Sequence, residues 1–193
     1  DPEKQYLAEG AMDAILLNLS KIEDLRVIAR TSVEQYRETN KTATMICQEL
    51  NVAYLLEGSF QKYGDQARLI IQLIEPGKEG HIWAREFDRN WTDIFAVQSE
   101  IAQTIARELQ AVITPEEKQL IEKVPTINLS AYDFFQRGSE EFWEYFFNGD
   151  KKALERAENL YHEALKYDST FAQAYTGLAK VYWIKNYWEE YFS

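Results

Sequence analysis

Reactive and metal-binding side chains are scarce in this 193-residue chain. A single cysteine, Cys47, excludes an intrachain disulfide, and only two histidines, His81 and His162, accompany it. With those three far apart in sequence, a structural zinc site is not expected. Neither GxGxxG nor GxxxxGK followed by Ser or Thr occurs, so neither of the glycine-rich phosphate-binding loops is present. No apolar run approaches the roughly 18 residues of a membrane span, and no signal peptide is visible. Basic charge is short as well: 21 Lys/Arg stand against 32 Asp/Glu, for a net charge of −11. The deficit is even, with 12 against 18 in residues 1–114 and 9 against 14 in the rest. That balance argues against nucleic acid as a direct partner, since phosphate binding runs on basic contacts. Nothing in the composition selects a compartment. The chain opens at Asp1-Pro2 without a Met and closes on the aromatic "NYWEEYFS", which reads as a segment of something longer.

What is present divides the chain in two. Nine aromatic residues lie in 1–131 and eighteen in 132–193. The first region mixes periods. Leu7, Ala11, Ile15 and Leu19 repeat every four residues and predict a helix over 3–20. "LRVIAR" (25–30) is a strand candidate, and "TATMICQELN" predicts a helix using Ile46, Cys47 and Leu50, ended by Asn51. Three strand candidates follow, "VAYLLEGSFQKYG", "QARLIIQLIEPG" and "GHIWAREFDR", separated by turn signals at 63–66 and 75–78, so an antiparallel meander is expected. The stripe Ile94, Val97, Ile101, Ile105, Leu109, Val112 predicts a helix over 93–112 with Thr92 as N-cap. "TPEE" then offers Thr114 as cap, Pro115 at the first helical position and Glu117 for a capping box. The expected architecture is an α+β domain over 1–114, a mixed sheet with packed helices. A short capped helix and linker over 115–130, including "VPTINLS", and an all-α region over 131–193 follow.

The all-α region carries a repeat. In "ERAENLYHEALKYDSTFAQAYTGLAKVYW", Ala157, Tyr161 and Ala164 resemble the second helix of a tetratricopeptide repeat (TPR), and Tyr175, Leu178, Ala179 and Tyr182 the first helix of the next. Ser169 stands where the repeat usually has proline. An earlier first helix shows in "AYDFFQRGSEEFW", with Ser130 and Asp133 as its cap and Gly138 at the small position. Gly138 to Ala157 is about seven residues too long for the repeat period, so "FFNGD" is expected to be an extended loop. A solenoid of fewer than about three repeats cannot bury its own faces. The apolar end, with Trp183, Tyr187, Trp188, Tyr191 and Phe192, therefore suggests a truncated array.

Read together, "YLAEGAMDAILLNLSKIEDLRVIARTS", "ELNVAYLLEGSF" and "QARLIIQLIEPGKEGHIWAREFDRNWTDIFAVQSEIAQTIA" resemble the TolB-like (FlgO-like) domain of bacterial regulatory proteins, which commonly precedes TPR repeats. The resemblance covers 5 to about 113. It implies a domain related to the N-terminal domain of TolB, found attached to nucleotide cyclase, kinase or DNA-binding modules and carrying no catalytic residues or cofactor of its own. It also implies an opening strand just before "DPEKQYLAEG", whose absence would leave a sheet edge open to self-association; the aromatic C-terminus offers a second such surface.

The cluster in "GHIWAREFDR" is the only local candidate for catalysis. Strand alternation sets His81 with Trp83, Arg85 and Phe87, away from Glu86 and Asp88, so no catalytic residue is expected there. His162 is expected on a helix surface, and "RTSVEQYR" as a capped connector rather than an anion site. TPR units present the inner faces of their first helices as a groove. Mapped by the repeat, that groove is lined by Tyr132, Phe135, Ser139 and Phe142, then by Gln173, Thr176, Lys180 and Trp183. The expected function is a non-enzymatic sensory or scaffolding segment binding protein or peptide. The alternative is a small-molecule sensor controlling an attached output module, with its pocket between sheet and repeats.

Overall fold

A computed structural model describes residues 5–37, 39–77 and 81–192. The side chains of Gln5, His81 and 188–192 lie outside the described set. Among the described residues there are eight α-helices and one three-stranded antiparallel sheet. The chain divides into two compact units, Ala11–Lys123 and a second made of Asp1–Gly10 with Val124–Ser193. Helix α1 (Gln5–Leu19) contributes to both, and its Leu7, Ala11, Ile15 and Leu19 are all buried, as their spacing predicts.

The α/β unit is organised around its middle strand. Strand β1 (Leu55–Tyr63) turns through Gly64, at φ +55°, and Asp65 into β2 (Gln66–Ile74), which pairs on its other side with β3 (His81–Asn90). Glycine supplies the positive φ that this two-residue turn needs. Leu69, Ile71 and Leu73 of β2 are buried together with Trp83 and Phe87 of β3, a period-two face worth about 1.5–3 kcal/mol per large side chain. The register slips between Leu73 and Ile74, which pair with Trp83 and His81, leaving Ile82 as the extra residue of a bulge. That slip breaks the alternation on which the expected direction of His81 depended, and the side chain itself is not among those described.

Helix α3 (Ala43–Leu50) is capped by Thr42 and, as read from sequence, buries Ile46 and Cys47 and ends at left-handed Asn51. A 3-10 turn (Trp91–Asp93) leads into α4 (Ile94–Glu108), whose Ile94, Val97, Ile101 and Ile105 are buried. Thr92 therefore lies inside that turn instead of capping the helix. Val112 is 68% exposed, because the helix stops at Glu108 and Gln110 turns to φ +58°. Helix α5 (Pro115–Glu122) has the expected capping box between Thr114 and Glu117. It belongs to the α/β unit and not to a linker, because the Ser99 hydroxyl donates to the Ile121 carbonyl at 2.8 Å and the Glu23 N–H donates to Glu117 at 2.8 Å.

Residues 25–29 form no strand, and only the short helix α2 (Arg30–Val33) with its 3-10 continuation follows before α3. The predicted strand over 25–30 is absent because no neighbour offers it a ladder, so the sheet is antiparallel throughout instead of mixed.

The helical unit consists of the first turns of α1 with α6 (Leu129–Asn148), α7 (Lys151–Tyr167) and α8 (Ala172–Phe192). Asn128, not Ser130, caps α6, its side chain accepting from the N–H groups of Ser130 and Ala131. The expected "FFNGD" loop is helix: α6 runs on to Asn148, and only Gly149 (φ +72°) and Asp150 separate it from α7. The surplus seven residues lengthen α6 because nothing before Gly149 breaks a helix. The hinge of the unit is Tyr161, 3% exposed. A Cβ added to Gly138 would lie 2.8 Å from its ring, and one added to Gly177 would lie 2.6 Å away. Two glycines on different helices thus let α6 and α8 close on one aromatic ring, and burial pushes that phenol up to about 12. The expected linker 124–130 is tied down: Thr126 is buried and donates to Asp168 at 2.5 Å, while the Asn128 amide donates to the Tyr167 carbonyl at 3.1 Å. Asp168 also accepts from the N–H and hydroxyl of Thr170, so hydrogen bonds hold the α7–α8 turn around Ser169.

Candidate functional site

The predicted groove residues separate into two groups. Tyr132 and Phe142 of α6 are buried, and Phe135 packs its ring against Tyr161 (5.8 Å between centroids) and Phe171 (5.1 Å). Phe135 and Phe142 belong to the packed interior of the helical unit, on the face of α6 turned to its neighbouring helices. On α8, Gln173 is half-buried while Thr176, Lys180 and Trp183 are exposed, Trp183 by 70%. The Lys180 ammonium sits 5.8 Å from the centre of the Phe142 ring, and Trp183 stacks on Tyr187 at 6.0 Å. A cation over an aromatic face and a stacked aromatic pair thus stand on one open helix side.

A second face of α8 is open too. Tyr175 and Tyr182 are exposed, as is Ala179. Tyr182 lies 3.1 Å from His162 Nε2, which places the second histidine at the helix surface as expected. Nearby, Lys185 pairs with Glu158 and, with Tyr182, holds that carboxyl below its ordinary range. Sequence reading passed over a third surface. Trp143, Phe146 and Phe147 cluster at the end of α6, with Trp143 and Phe147 stacked at 5.5 Å and both phenylalanines exposed. Their i, i+3, i+4 spacing is helical, whereas the expected "FFNGD" loop would take Phe146 and Phe147 out of the helix that carries Trp143.

In the α/β unit, Glu86 and Asp88 both face Arg68, at 2.9 and 3.2 Å, forming an exposed cross-strand ion pair ladder. Arg30 pairs with Asp13 at 2.5 Å and with Glu34 at 3.6 Å, so the "RTSVEQYR" guanidinium is engaged by two carboxylates. Beside β1 lies an apolar groove of about 500 Å³, lined by Met12, Leu16, Val27, Ile28, Leu50 and Leu56 among others. Among the described residues no group of three or more His, Cys, Asp or Glu is placed to hold a metal ion, and no helix is long and apolar enough to cross a membrane.

No protein-family model matches the chain. It is similar to a protein named putative adenylate cyclase 3 from Rhizobium meliloti (strain 1021), at 32% identity over 179 residues. The match takes in 93% of this chain and 30% of that protein, so the chain spans less than a third of the relative's length.

Proposed function

We propose that this chain is a non-catalytic sensory or scaffolding segment of a bacterial regulatory protein, a TolB-like α/β domain followed by TPR-type helices, and that it binds protein or peptide through α8. The observation that carries the reading is the open side of α8, where Thr176, Lys180 and Trp183 are exposed although Ala174, Gly177, Leu178 and Val181 on the same helix are buried. A helix anchored along one stripe and presenting a cation and an indole along another is suited to an extended or helical polypeptide. The likeness to a protein named as a putative adenylate cyclase supports a place in bacterial signalling.

A photo-crosslinking residue at Thr176, in the full-length protein in its host cell, tests this. A discrete polypeptide adduct that disappears in Trp183→Ala is expected. Absence of any adduct, together with unchanged signalling output in Trp183→Ala, rejects the assignment.

A further inference from the structure

The open side of α8 differs in charge from the rest of the chain. No Asp or Glu occurs from 172 to 187, although the sequence carries 32 of them. Nine residues in that stretch are exposed, and Lys180 is the only charged one among them. The exposed side of α7 follows the ordinary pattern of an acidic, soluble surface, with Glu155, Arg156 and Lys166 in water. Loss of charge together with exposed Trp183 and Tyr187 is the composition of an interface centre.

Lys180 also stands apart from its neighbours. Arg137, Arg156, Lys166 and Lys185 of the same unit each pair with a carboxylate, whereas Lys180 meets none among the described residues. Its ammonium rests 5.8 Å from the centre of the buried Phe142 ring. A basic partner would be repelled there. An uncharged apolar partner would cover the ammonium and leave it without a counter-charge, which is costly. One ammonium, with no second cation or guanidinium fork beside it, suits the single charge of a carboxylate better than a phosphate dianion. Trp183 and Tyr187 follow three and seven residues later, about 4.5 and 10.5 Å along the helix axis. An extended chain covers those distances in about one to three residues.

Resting on the assignment of α8 as the binding helix, we propose that its partner is an acidic polypeptide segment. An Asp or Glu carboxylate of that segment accepts from the Lys180 ammonium, and a large apolar side chain within about three residues of it covers the Trp183–Tyr187 stack. Charge selects the partner, and the aromatic pair supplies the buried area.

Panning a phage library of short random peptides on the full-length protein tests this, followed by fluorescence anisotropy with labelled synthetic copies of the enriched peptides. The expected peptides carry Asp or Glu within about three residues of Leu, Phe or Trp. Their affinity should fall about ten-fold in Lys180→Glu and stay within about three-fold of the parent in Lys180→Arg, which keeps the charge. Enrichment of peptides without Asp or Glu overturns the proposal. Binding that is lost in Trp183→Ala but unchanged in Lys180→Glu also overturns the acidic partner, and leaves α8 as the binding helix. Binding unchanged in both variants overturns the two together.

Discussion

The two units solve the same problem at different ranges. The helical unit packs mostly over short range: α6, α7 and α8 follow one another, and Tyr161 is enclosed by glycines 23 residues before it and 16 after it. The α/β unit buries one sheet face as thoroughly, yet leaves β1 with one partner and the aliphatics of 25–29 half in water. Short-range packing needs only the stretch that contains it. A sheet face is assembled from strands and helices far apart in sequence, so its burial depends on all of them together.

Mutations can break this contrast. Tyr161→Ala should have the largest effect, about 3–5 kcal/mol by urea unfolding followed by circular dichroism, because it empties the centre of the helical unit. A loss under 1 kcal/mol would mean that α6 and α8 do not depend on that ring. Next comes a matched pair in the sheet. Leu73→Ala, at a buried position, should cost about 2–5 kcal/mol. Leu56→Ala, in the groove wall, should cost about 1 kcal/mol or less in the same assay. Equal losses would show that the groove is already filled. Gly177→Ala should cost about 1–3 kcal/mol through overpacking against the Tyr161 ring, and combining it with Tyr161→Ala should remove most of that cost.

The smallest effect sharpens the comparison by pH. Hydrogen bonds from the N–H groups of Glu23 and Thr114 hold the Glu117 carboxyl below the ordinary carboxylate range. A depressed native value contributes stability that is fully present above about pH 4.3 and is lost as pH falls through the lower native value. The thermal midpoint should therefore drop less between pH 6 and pH 3 in Glu117→Gln than in the parent. An identical drop would show that the exposed cap contributes nothing to the acid response.

Legibility followed range as well. The Thr114 capping box, the Asn51 stop and the buried β2 alternation rest on residues a few positions apart, and each stands in the structure as read. "LRVIAR" failed because a strand is a property of a pair, and its composition says nothing about whether a partner is present. The loop expected at "FFNGD" is helix because a repeat period sets no limit on helix length, and Phe146, Phe147 and Asn148 extend α6 without conflict. The groove assignment was half legible. Period placed Thr176, Lys180 and Trp183 on an open face of α8, but could not show that Phe135 and Phe142 face neighbouring helices.

The paired glycines at Tyr161 have a consequence for how the chain finds its fold. Sliding α6 by one residue would bring Arg137 or Ser139 to the ring, and sliding α8 would bring Thr176 or Leu178, each with a Cβ where there is no room. Of these pairings only the one that sets Gly138 and Gly177 against the ring seats the phenol. The ring and its two gaps therefore work as a key and wards: they add little to how strongly the helices attract, and they determine which alignment is admitted.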